Sequence, residues 1–70
     1  MTIATSARTT VNLTFRAHAA LKATMARTRM SKTDIVNRAV TLYEIIDSEA
    51  STGAEIVIRR DGQERAVMLL

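Results

Sequence analysis

The sequence predicts a small α+β chain: a strand, two helices and a C-terminal β-hairpin, in that order. Three observations predict it. Residues 8–16, Arg-Thr-Thr-Val-Asn-Leu-Thr-Phe-Arg, alternate strictly between polar and apolar side chains, the period of a strand with one buried face. Residues 17–48 then carry apolar side chains at helical spacing, without Gly or Pro. Beyond Gly53 the pattern turns to alternating and continuous apolar runs on either side of Asp61-Gly62.

Residues 1–7 are small and polar without periodicity, and are expected to form a flexible arm. The strand follows. Its period places Arg8, Thr10, Asn12, Thr14 and Arg16 on one face and Val11, Leu13 and Phe15 on the other. A lone strand is not stable, and no second strand follows within hairpin distance, so its partner is expected to be the same strand of another copy.

Residues 17–29 are Ala-rich, and Ala20, Leu21 and Met25 fall near one face at helical spacing, which predicts the first helix. Ser31 marks the second. Its hydroxyl can accept from the backbone N–H three residues on, while Asp34 can reach back to the Ser31 N–H, an Asp form of the capping box. The second helix is expected to run to about Ser48, with Ile35, Val36, Ala39, Val40, Leu42, Tyr43 and Ile46 forming a stripe wider than one small neighbouring helix can cover. Gly53 suits the exit.

The tail, residues 54–70, predicts a β-hairpin, because Asp61-Gly62 is the kind of dipeptide that makes a two-residue type I′ turn. Ile56-Val57-Ile58 and Ala66-Val67-Met68-Leu69-Leu70 make it too apolar to stand free in water.

At 70 residues a single-chain core is marginal, and without cysteine there is neither a disulfide framework nor a thiolate metal site, so oligomerisation is the expected support. No apolar run approaches the roughly 18 residues of a membrane span, and the N-terminus lacks the blocks of a signal peptide. A cytoplasmic protein is expected. The net charge of +3 hides a segregation: residues 1–38 carry net +6 and residues 39–70 net −3. A dimer would double the basic half into one positive surface suited to a polyanion.

Catalytic and metal chemistry have no support in the residues. His18, the single histidine, has no Cys or carboxylate at ligand spacing, and Ser31 has neither a base nor an oxyanion loop at recognisable spacing. Neither an enzyme nor a cofactor is expected.

Strand, helix, Ser-capped turn and helix in this order over residues 8–48 resemble the ribbon-helix-helix superfamily of the MetJ and Arc repressors. The resemblance rests on Thr10-Val11-Asn12-Leu13-Thr14-Phe15, on the helix of residues 17–29, and on Ser31-Lys32-Thr33-Asp34-Ile35. It implies an intertwined homodimer in which two strands pair antiparallel and the ribbon enters the DNA major groove, with residues 8–50 as the DNA-binding and dimerisation domain. The base-facing positions then fall on Thr10, Asn12 and Thr14, with Asn12 able to pair with adenine N6 and N7. Arg8 and Arg16 at the strand ends are assigned phosphate contacts or guanine readout, and Ser31, Lys32 and Thr33 meet a phosphate at the helix N-terminus. Val11, Leu13, Phe15, Leu21, Met25, Ile35, Val36, Ala39, Val40 and Tyr43 make up the expected dimer core. Two departures stand out: Arg29-Met30 occupies the inter-helix turn where many members carry Gly, and the strand face has no central Arg or Lys.

The function expected is a sequence-specific transcriptional regulator, a repressor, that binds double-stranded DNA as a homodimer, with higher-order assembly on DNA an option. Two alternatives stay open: an antitoxin-type regulator whose C-terminal hairpin binds a protein partner, and a dimerisation module that does not bind DNA.

Overall fold

The computed structural model describes residues 7–68. It is a small α+β structure of two helices and a two-stranded antiparallel sheet: α1 (Phe15–Thr28), α2 (Lys32–Ser51), β1 (Val57–Arg60) and β2 (Gln63–Ala66). Most of the arm expected over residues 1–7, and the last two residues of the tail, lie outside the described residues.

The first departure from expectation is at the N-terminus. Residues 7–14 form no strand, because no described segment offers them a ladder partner and an unpaired strand has nothing to satisfy its backbone. The helix also begins earlier than the alternation suggests. Thr14 sits at φ −65° and ψ 161° as the N-cap of α1, and its Oγ1 accepts from the Ala17 N–H at 3.0 Å. Phe15 and Arg16 are therefore the first two residues of a helix and do not continue a strand face.

α1 ends at a left-handed residue. Arg29 has φ 62° and ψ 15°, and its N–H donates to Met25 O at 2.9 Å, the single five-to-one bond of an αL cap. The Thr28 hydroxyl closes the turn on both sides, donating to Thr24 O at 2.7 Å and accepting from the Met30 N–H at 3.2 Å. The missing glycine thus leaves the turn type intact, with Arg29 carrying the strain of a non-glycine αL residue.

Ser31 caps α2 as expected, at φ −70° and ψ 159°, with its Oγ accepting from the Asp34 N–H at 3.1 Å. The reciprocal bond from the Ser31 N–H to Asp34 is not formed, so the capping box is one-sided. Asp34 still places a carboxylate in the first turn, where the helix dipole favours it. α2 runs three residues past its expected end. It closes in a Schellman motif: the Gly53 N–H donates to Ala50 O and the Ala54 N–H to Glu49 O, both at 3.1 Å, with Gly53 at φ 99°.

The hairpin matches its turn chemistry. Asp61 (φ 52°) and Gly62 (φ 79°) give the two positive angles of a type I′ turn, and the register pairs Arg60 with Gln63 and Val57 with Ala66. Val67 N–H to Ile56 O at 2.8 Å extends the ladder one pair beyond the strands.

The two helices pack on each other, the two strands pair, and neither strand packs against either helix. Leu21 is the one buried apolar residue among those described, while Met25, Ile35 and Ile46 are half-buried. The chain exposes 6982 Å². A folded monomer of this mass exposes about 4,300 Å².

Candidate nucleic-acid interface

The candidate interface is built from the segment before α1 and from the N-terminal turn of α2. Residues 8–14 are all exposed. Arg8, Thr10 and Asn12 lie in this segment with no hydrogen bond to other described residues, so their side chains are open to an external partner. Thr14 is different: one lone pair of its hydroxyl is committed to the Ala17 N–H, leaving the hydroxyl proton and the methyl group for any contact with a base. Val11 and Leu13 are 64% and 44% exposed, and Phe15 is 96% exposed.

Arg16 is exposed on the first turn of α1, apart from the polar side chains of the preceding segment to which the alternation assigns it. A cation there remains close in sequence to the segment but is aimed by a helix, with its direction set by the Thr14 cap. The cap itself was readable, since Thr followed by an Ala-rich run is an N-terminal signal; the alternation of Phe15 and Arg16 masked it.

At α2, the Ser31 side chain takes the Asp34 N–H and the Ser31 carbonyl takes the Ile35 N–H at 3.1 Å. The N–H groups of Lys32 and Thr33 are left without an intrahelical acceptor, as the first groups of a helix are. Beside them stands the Lys32 ammonium, exposed. These are the elements of a phosphate contact: two donors, a cation and the positive end of a 20-residue helix. Asp34 opposes it with one negative charge. The Thr33 carbonyl accepts from the Asn37 side-chain amide at 2.8 Å, which holds Asn37 along the helix.

The apolar residues of α2 form no closed core in the single chain. Val40, Tyr43, Leu42 and Ile45 are exposed, and Leu42 and Ile45 line an open groove with Asn37, Arg38 and Thr41. Exposed apolar side chains are thus found both in the N-terminal segment and along α2.

On the hairpin, Arg59 Nε donates to Glu64 Oε1 at 3.0 Å, and Arg59 Nη2 meets the same oxygen. This pair sits on one face, across the directly opposed positions of the register; Arg60 and Arg65 share the other face with Ile58. The pairing was legible once the Asp61-Gly62 turn fixed the register. Among the described residues no group of three His, Cys, Asp or Glu comes together to hold a metal ion, and no helix is long and apolar enough to cross a membrane. Comparison of the chain with protein-family models, with curated proteins and with solved structures gave no match in any of the three.

Proposed function

We propose that the chain is a homodimeric, sequence-specific DNA-binding regulator that acts as a repressor by occluding its site. The observation that carries this reading is the exposed segment of residues 8–14, whose polar and apolar side chains alternate and which has no strand partner within its own chain. Two such segments paired antiparallel make a ribbon of the width the major groove admits. In that ribbon Asn12 reads adenine, Thr10 and Thr14 flank it, and Arg8, Arg16, Lys32 and the N-terminus of α2 hold phosphates.

The surface supports the dimer half of the proposal. Val11, Leu13, Phe15, Val40, Leu42 and Tyr43 are exposed in the single chain, apolar surface that a second copy would cover. Charge supports the DNA half. The ribbon, α1 and the start of α2 carry the net +6 of the chain's first 38 residues, which a dimer doubles on one assembly.

Selection of sites from a random DNA duplex pool at roughly physiological salt tests the reading. The expected result is a short motif repeated as two half-sites, since a two-fold protein reads a two-fold site. Affinity should fall with salt at a log–log slope of about −0.9 per phosphate neutralised. A folded dimer with no enriched motif and a flat salt response overturns the proposal and leaves the segment a dimerisation element.

A further inference from the structure

The outer edge of β1 is complementary to itself. The Val67 N–H bond to Ile56 O makes residues 56 and 67 a hydrogen-bonded pair. Antiparallel alternation then turns the backbone groups of Ile58 and Arg60 inward to β2, and those of Val57 and Arg59 outward to the open edge. Carried one residue beyond the ladder, the same parity would turn Glu55 outward as well. This edge has no Pro and no bulge to protect it from another strand.

A two-fold axis perpendicular to the sheet at Val57 brings two such edges together in register. Val57 opposes Val57 of the second copy, and Glu55 opposes Arg59 of the second copy; these outward-facing residues fall on hydrogen-bonded pairs, each exchanging both backbone bonds. On the other face Ile56 meets Ile58 of the second copy. From Glu55 to Arg59 each opposed pair is apolar with apolar or acid with base, the combinations that stabilise a sheet, and beyond them Arg60 meets Ala54 of the second copy. Arg59 already lies against Glu64 of its own hairpin, so Glu55 of the second copy completes a Glu–Arg–Glu row across the joint.

No other edge register does this. Shifting the axis by two residues to Arg59 sets that arginine against itself. On the β2 edge the symmetric registers set Glu64 against Glu64, Arg65 against Arg65, or Glu64 against Met68. The hairpin also needs a partner: two strands alone are marginal in water, Val57 and Ile58 are exposed, and neither helix covers them.

We propose that two copies of this chain join through the β1 edges of their hairpins into a four-stranded antiparallel sheet centred on Val57. This interface stands independently of DNA binding.

The chain has no cysteine, so Val57→Cys introduces a single thiol. Hydrogen-bonded antiparallel residues have Cα atoms about 5.5 Å apart and Cβ atoms near the upper end of about 4.5–5.5 Å, wider than the roughly 3.5–4.5 Å of a relaxed disulfide, so a short bifunctional thiol reagent is the cross-linker that fits. With a short bis-maleimide at micromolar protein V57C is expected to cross-link nearly completely, while A66C, on the same face of the opposite edge, stays largely monomeric on a denaturing gel. Adding Glu55→Arg to V57C should slow cross-linking several-fold. In the unmodified protein the Val57 and Arg59 amides should be protected from hydrogen exchange and the Glu64 and Ala66 amides should exchange freely. Equal cross-linking of V57C and A66C overturns the proposal. So do unprotected Val57 and Arg59 amides in protein whose helices remain protected, which would leave the edge open.

Discussion

Arg29 donates its backbone N–H to the Met25 carbonyl at 2.9 Å while holding a left-handed φ of 62°, so the inter-helix turn closes on a residue whose Cβ opposes that conformation. The αL backbone costs an L residue roughly 1–2 kcal/mol, and glycine removes that strain at an entropic cost of about 0.5–1 kcal/mol. Arg29→Gly is therefore expected to stabilise the protein by about 0.5–1 kcal/mol, visible as a rise of a few degrees in the thermal midpoint. Arg29→Ala keeps the strain and should give no rise. If both variants behave alike, charge and not backbone geometry governs the turn.

In the proposed complex Asn12 would read and Lys32 would hold, and substitution parts the two. Asn12→Ala should relax preference at one base position in each half-site, a loss of roughly 1–3 kcal/mol of discrimination, with helicity unchanged by circular dichroism. Lys32→Gln should weaken all duplexes alike and flatten the salt slope by about 1 for each phosphate it no longer neutralises. Competition binding on a panel of single-base variants distinguishes the two. Uniform weakening by Asn12→Ala would place the reading face elsewhere.

The parts of the fold that were legible in the sequence are those set by local chemistry. Ser31 three residues before Asp34, Gly53 after a long apolar stripe, and Asp61-Gly62 between β-rich runs each fix a backbone angle or a hydrogen bond within a few residues. Phe15 and Arg16 mislead because alternation is a statement about burial on a sheet, and the Thr14 cap competes with it one residue earlier. Arg29 gives no signal, since nothing in its side chain favours the left-handed region that tertiary packing imposes. The N-terminal segment is the least legible. Whether residues 8–14 become a strand depends on a backbone partner, and the described residues of one chain contain none.

Thr14 has two roles assigned to one hydroxyl, and two substitutions part them. Thr14→Ala removes the acceptor for the Ala17 N–H and should cost about 1 kcal/mol of stability, measured by chemical denaturation. Thr14→Ser keeps the cap and should leave stability within a few tenths of a kcal/mol. A change of base preference in Thr14→Ser then reports loss of a methyl contact with thymine, because the hydroxyl and the helix start are both retained. Wild-type preference in Thr14→Ser confines Thr14 to capping.

Folding coupled to association makes stability depend on concentration. Leu21 is the one buried apolar residue among those described, and Phe15, Val40 and Tyr43 are exposed, so in the proposed dimer much of the burial that offsets the entropy of ordering two helices would come from the second copy. Each tenfold dilution is then expected to lower the thermal midpoint by about 3–6 °C, from the mass-action term of about 1.4 kcal/mol and the unfolding entropy of a dimer of this size. Leu13→Asp should lower the midpoint further, because it places a charge where the proposed ribbon would pair its two strands, and high protein concentration should not rescue folding or DNA binding. Differential scanning calorimetry from micromolar to near-millimolar protein measures the dependence. A midpoint that does not move with concentration, in a species of monomeric mass, would show that residues 8–14 and the α2 stripe are solvated in the working protein, and the ribbon would lose its physical basis.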